Sequence, residues 1–410
     1  MKKFFALLLS LAMVLALVAC GQKDPTPDTP DTPDDPQTKV EYKVAMITDY
    51  GDITDQSFNQ TTYEACKAFA EDNSIEFSYF KPAGDNTADR VAMIEKAVDE
   101  GFNVIVMPGY AFGGAIVEAA PEFPDVKFIA LDVAAGDLLE TAVAKAGEAY
   151  DYTPENWDLN KYVDMSNVYC AVYQEELCGY MAGYAAVKLG YKNLGFLGGM
   201  SVPAVVRYGY GFVQGVDAAA ADLGLTDVKL NYIYGGQFFG DADITAVMDT
   251  WYQGGTEVVF ACGGGIYTSA VDAAKKVGAK VIGVDVDQAG VIANYAGVDG
   301  MTVTSDMKGL YPATYDTLTD VIVNGNWEKY VGKIETLGLV SGTDPEANYV
   351  QIPMGDGTQW SDSFTQDDYK AMVKDMFDGK ITVSNNTSSD VSAADFATVI
   401  TVDDQGSIKG

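Results

Sequence analysis

The stretch "DYGDITDQSFNQ", Asp49 to Gln60, sets Asp49, Asp52 and Asp55 ahead of a Ser57-Phe58-Asn59 turn. Two chemistries draw on such a set. Paired carboxylates serve as acid, base or nucleophile in breaking a glycosidic bond. Alternatively, carboxylates and amides beside an aromatic face read the edge of a flat, weakly polar ligand. Residues of the same kind recur downstream: Asp132 in "LDVAAGD", Tyr208 in "VVRYGYGF", Gly264 in "CGGG", Asp285 and Asp287 in "GVDVDQ", and Lys308 in "SDMK". Each aspartate at a strand-to-helix junction also fits the bland role of a helix N-cap. "DVDQ" as a metal site lacks both histidine and the twelve-residue calcium loop, so no metal or cofactor is expected.

The elements that position these residues alternate in type. "YKVAMIT", "IEFSYF", "NVIVMP", "VKFIALD" and "NVYCAVY" read as strands with helical patterns between them; "NLGFLGG", "LNYIYGG", "EVVFACGGG", "KVIGVDVD" and "MTVTSD" repeat the scheme. Near-continuous apolar strands separated by helices signal parallel sheets covered on both faces. Two such sets predict an α/β protein of two doubly wound lobes. Ligands in such sheets sit beyond the carboxyl ends of the strands, where the Gly-, Asp- and aromatic-rich loops fall. The expected division is residues 41–175 plus about 306–335 for the first lobe. The second is expected to take 176–305 plus part of the C-terminal segment, with an extension at 381–410 of unassigned role.

Ahead of the lobes, Lys2 and Lys3 precede the apolar run Phe4 to Val18 and "LVAC" at Leu17 to Cys20. The run is short for a membrane span and carries a small residue before a cysteine. It therefore predicts a lipoprotein signal peptide over 1–19, with Cys20 as the lipidated residue. Residues 20–40, with five prolines and five aspartates, read as an extended spacer that cannot bury enough surface to fold. A lipid anchor on the extracytoplasmic face of the cell membrane is the expected location.

Composition excludes several classes. The formal charge of -33 repels nucleic acid and anionic lipid. With no histidine, Ser-His-Asp and Cys-His sites are ruled out. Cys66, Cys170, Cys178 and Cys262 form no CxxC pair and lie in apolar stretches, which favours buried free thiols over disulfides.

"DYGDITDQSFNQ", "NVYCAVYQEELCGYMAGYAAV", "LGFLGGMSVPAVVRYGYGFVQGV" and "VIGVDVDQ", in that order, resemble segments of the basic membrane lipoprotein family. These are substrate-binding proteins of nucleoside transporters of the ATP-binding cassette type, including the purine nucleoside receptor A group. The resemblance runs from about Lys43 to Lys380. It implies a type I periplasmic-binding-protein fold with a hinge and an interlobe cleft. It also implies a purine nucleoside as ligand, a permease with its ATPase as partners, and a monomer without enzymatic activity. Residue by residue, it implies stacking by Phe58 and Tyr208, base-edge contacts from Asn59 and Asp132, and sugar contacts from Asp285 or Asp287 and from Lys308. Gly264 would allow close backbone approach, Ser57 belongs to the Ser-Phe-Asn turn of the motif, and Asp49 would receive the 5' hydroxyl or orient its loop. The chain departs from the family's pattern in a longer, aromatic link at 136–166, to be read as a lid or a surface loop, and in the segment after Lys380. A monosaccharide receptor on the same fold and a hydrolase using paired carboxylates stand as alternatives.

Overall fold

The computed structural model describes residues 41–409. The leader, Cys20 and the spacer lie outside them. Among the described residues thirteen strands are formed in chain order: β1 (Lys43–Ile47), β2 (Glu76–Phe80), β3 (Val104–Pro108), β4 (Lys127–Leu131), β5 (Val168–Tyr173), β6 (Asn193–Gly198), β7 (Lys229–Tyr234), β8 (Val258–Cys262), β9 (Lys280–Asp285), β10 (Thr302–Lys308), β11 (Ile334–Leu337), β12 (Val350–Gln351) and β13 (Thr401–Ser407). They make two sheets, ordered β11-β5-β4-β3-β1-β2 and β12-β10-β9-β8-β6-β7-β13. Every pairing is parallel except β10 with β12.

Burial explains the apolar runs. All five residues of β3 and of β8 are buried, as strands covered on both faces require. In each sheet the order reverses beside the first strand of the set, β1 between β2 and β3, and β6 between β7 and β8. That reversal opens a crevice at the carboxyl ends.

The chain passes between the sheets three times, at Tyr173–Glu175, Lys308–Leu310 and Leu337–Val350. The return to the first lobe expected near residue 306 falls at Lys308–Leu310, because β10 stays paired with β9 through Met307 opposite Asp285. After that crossing, helix Leu310–Leu318 packs on helix Phe58–Asn73, with Tyr315 donating to Asp72 at 2.8 Å.

Helices Glu175–Lys188 and Pro203–Leu223 pack closely on one another. Glycine permits it: a Cβ at Gly211 would stand 2.1 Å from the Glu176 carbonyl oxygen, and one at Gly179 would stand 2.2 Å from that of Tyr208. This contact sets Glu175 beside Arg207 at the cleft.

The 136–166 segment starts as helix Ala135–Lys145 and continues as a loop organised by Asp151, which accepts from Thr153 N–H, Asn156 Nδ2 and Trp157 Nε1. Past Lys380 the chain runs along the second lobe and ends in β13, a parallel edge strand beside β7. Cys66, Cys170, Cys178 and Cys262 are buried free thiols. Among the described residues no helix is long and apolar enough to cross a membrane.

Candidate functional site

A cavity of about 440 Å³ lies between the carboxyl ends of the two sheets. From the first lobe, Asp49, Phe58, Asn59 and Asp132 line it; from the second, Tyr208, Gly264, Asp285 and Lys308 do. Ser57 and Asp287 do not. Ser57 is buried behind the wall and its hydroxyl donates to Asp285 Oδ2 across the cleft. Asp287 is exposed and accepts from Ala289 N–H at 3.1 Å, at the start of helix Ala289–Ala296. Geometry therefore separates the two candidates of "DVD": Asp285 faces the cavity, and Asp287 serves the helix end.

Lys308, the last residue of β10, holds the centre. Its Nζ lies 2.5 Å from Asp132 Oδ2, 3.5 Å from Glu175 Oε1 and 3.8 Å from Asp285 Oδ1. It also stands over three rings, 4.8 Å from the centroid of Phe58, 5.4 Å from Tyr173 and 5.5 Å from Tyr208. Burial pulls the ammonium's pKa down, but Asp132, Glu175 and Asp285 outweigh it and the net shift is upward. Glu175 is shared with Arg207, whose Nε is 2.7 Å from Oε2. Burial raises the Glu175 carboxyl, against the pull of Arg207 and Lys308. Burial likewise pushes Asp285 up to about 6, opposed by Lys308 and by the Ser57 hydroxyl.

Asp132 and Asp285 occupy matching places, each at the carboxyl end of the fourth strand of its set. Both adopt left-handed backbone, with φ of 57° and 66°. Non-glycine residues rarely do so, and such strain gathers where a side chain must be aimed. Here it turns both carboxylates toward one ammonium.

The polar loop after β1 is held from within. Asp49 accepts from Tyr50 and Gly51 N–H at 2.6 Å each, and burial raises its pKa against those bonds. Asp55 accepts from the N–H groups of Ser57 (2.9 Å), Asn59 (2.9 Å) and Gln60 (3.1 Å), satisfying the amino end of helix Phe58–Asn73. It also takes Asn59 Nδ2 at 3.1 Å. Asn59 is thus left presenting its carbonyl oxygen. Among the described residues, Asn59 Oδ1 and Asp132 Oδ1 are buried acceptors without a protein partner, both on cavity-lining side chains. Unpaired buried acceptors are costly unless something else donates to them.

Several lining groups escaped the reading of the sequence. Phe238 and Phe239 follow β7 in "GGQFFG" and form an aromatic wall, with the Phe238 ring lying over Gly199 and Gly263. Their signal was the same strand-end rule that picked out the other loops. Tyr50 and Tyr110 flank Asp49, and Asp137 and Arg207 complete the polar side. Burial lifts Asp137 to about 7. Tyr208, expected as a stacking face, lines the cavity but is only 2% exposed, its ring edge-on to Phe260 at 5.9 Å. From the 136–166 link, the cavity takes only Asp137 near its start; the residues beyond Lys145 do not line it.

Comparison with known proteins agrees with this architecture. A family model described as Bmp, an ABC transporter substrate-binding protein, PnrA-like, matches residues 42–343. The chain is 25% identical to the ABC transporter nucleoside-binding protein BmpA of Lactococcus lactis, over 92% of this chain and 96% of that one. It is 28% identical to a CD4+ T-cell-stimulating antigen of Listeria monocytogenes, over 78% and 84% of the two chains. An ABC transporter solute-binding protein from Aeropyrum pernix superposes with a TM-score of 0.59 at 20% identity, covering 84% of this chain and 88% of that one, a likeness of fold.

Proposed function

The chain belongs to the Bmp family of PnrA-like ABC transporter substrate-binding proteins, and from that premise we propose that its cleft captures a purine nucleoside and delivers it to a membrane permease with its ATPase. The observation that carries this reading is the meeting, in one cavity, of aromatic walls with two unpaired acceptors and a buried ion cluster. Its size falls in the usual range for small-molecule sites, about 300–1,000 Å³.

Each group has a matching part of the ligand. Phe58 and the aromatic wall clamp the base by its faces. Asn59 Oδ1 and Asp132 Oδ1 accept from N–H groups on its edge. Asp285 accepts from the vicinal ribose hydroxyls, and Lys308 donates to the sugar while keeping the carboxylates compensated. Asp49 orients its loop and takes the 5' hydroxyl.

A capture role also fits the hydrogen bonding of the acids. Asp55 is occupied in capping a helix, and Asp52 is an exposed partner of Lys81 at 2.9 Å. Bonds across the cleft, such as Ser57 to Asp285 and Gln288 Nε2 to the Gln56 carbonyl at 3.2 Å, belong to a closed arrangement. Ligand contacts made by both lobes favour that arrangement, a shift of population between open and closed forms. The leader and Cys20 extend the reading to a lipid-anchored monomer on the extracytoplasmic face; Cys20→Ala should move the protein out of the membrane fraction.

Calorimetric titration of the chain without residues 1–20, with inosine, guanosine, adenosine, cytidine and ribose, tests the proposal. Saturable binding of a purine nucleoside is expected. Binding of ribose alone, or turnover of inosine to free base, would replace it with a sugar receptor or a hydrolase.

A further inference from the structure

The aromatic wall at Phe238 and Phe239 stands on a loop that must reach the cleft from the far edge of the second sheet. Its main chain is fixed on the inner side by Gly265 N–H donating to the Phe238 carbonyl at 2.9 Å. On the outer side the fastening comes from a segment more than 160 residues later in the sequence. β13 pairs with β7 from Thr401 opposite Lys229 to Ser407 opposite Tyr234, and Ile408 N–H continues the ladder to the Tyr234 carbonyl at 2.8 Å. This brings Lys409 against the loop. A Cβ at Gly236 would stand 2.7 Å from that of Lys409, so only glycine allows the approach.

Lys409 Nζ reaches both ends of the loop. It donates to Gln237 Oε1 at 2.8 Å and forms an ion pair with Asp241 Oδ2. Gln237 Nε2 in turn donates to the Phe239 carbonyl and to Asp241 Oδ2, each at 2.9 Å. Asp241 caps helix Ala242–Gln253 by accepting from Ile244 N–H. One ammonium thus closes a ring of bonds around Phe238 and Phe239. The lead-in to β13 is anchored separately: Asp217 accepts from the N–H groups of Thr398, Val399 and Ile400 and from the Thr398 hydroxyl.

We propose that Lys409 is a positioning residue for the ligand site, with the segment after Lys380 acting as a strap that holds the Phe238–Phe239 wall in place without itself lining the cavity. It rests on the nucleoside reading only for the consequence to affinity. The loop's order is a property of the ligand-free protein.

Two measurements on the full chain separate these levels. In Lys409→Met, hydrogen exchange of amides 237–241 in the ligand-free protein should speed up while the amides of β6 and β8 keep their rates. Lys409→Arg, which retains charge and donors, should restore protection. Nucleoside affinity should fall about two- to fivefold in Lys409→Met, the range of a partly exposed ion pair, and recover in Lys409→Arg. Unchanged exchange at 237–241 in Lys409→Met overturns the strap. So does faster exchange spread over the whole lobe, which would mark general destabilisation. Loosening of the loop in a protein that binds no nucleoside would leave the strap standing and remove the ligand assignment instead.

Discussion

Lys308 and Asp132 meet at 2.5 Å across the cleft, one at the end of β10 in the second sheet, the other just past β4 in the first. Both side chains are nearly fully buried, at 4% and 9% exposure. A buried ion pair is no guarantee of stability by itself, but removing one partner leaves the others uncompensated. Lys308→Met should therefore strand Asp132 and Asp285, leave Glu175 to Arg207 alone, and destabilise the protein by about 3–5 kcal/mol. Urea unfolding of the ligand-free protein measures this. A midpoint unchanged from wild type would mean the cluster is solvated and the cleft open in solution.

Phe58 offers the cleanest test of ligand contact, since it is only half-buried and its loss removes ring area without stranding a charge. Phe58→Ala should weaken purine nucleoside binding by about 1.5–3 kcal/mol, about ten- to a hundredfold in Kd. Titration calorimetry reads the change directly. An equal loss for free ribose would show that the ring does not stack on a base.

The pH dependence follows from Asp285. Burial disfavours its charged form and pushes its carboxyl up to about 6 from the ordinary 3.8. A raised carboxyl contributes stability that is fully present below about pH 4 and lost as pH rises through about 6. Relative to Asp285→Asn, the wild type should lose about 2 kcal/mol of unfolding free energy between pH 4 and pH 7. Affinity runs the other way, because sugar hydroxyls donate to the carboxylate, so binding should weaken below pH 6. Unfolding curves at pH 4, 5, 6 and 7 for both proteins check the first sign, and titrations at the same pH values check the second.

Gly211 and Gly290 make a paired test of helix packing. A Cβ at Gly211 meets the Glu176 carbonyl at 2.1 Å, whereas one at Gly290 meets nothing within 4 Å. Gly211→Ala should cost about 1–3 kcal/mol and disturb the Arg207–Glu175 pair, lowering affinity as well. Gly290→Ala should stabilise by about 0.4–1 kcal/mol with binding unchanged. Thermal melts with and without ligand distinguish them.

What the sequence alone determined was everything carried by local pattern. Runs such as "VIVMP" and "VVFAC" read as strands buried on both faces, and the loops behind them held the polar and aromatic groups. The turn "DQSFN" stood out because it follows the first strand, where ligands of such sheets sit, and because it resembles the family's motif. Tertiary structure decided what depends on groups far apart in the chain. Asp285 and Asp287 are alike in sequence, but the left-handed turn at Asp285 aims that carboxylate at Lys308 and leaves Asp287 to the helix end. Asp55 is one of three acids on which the hydrolase alternative would draw, and only the fold shows that it accepts from the N–H groups at the amino end of helix Phe58–Asn73. The ring around Phe238 and Phe239 exists only because β13 pairs with β7. Hydrogen bonds and ion pairs between distant residues leave no periodicity behind; only the fold that brings the partners within reach can reveal them.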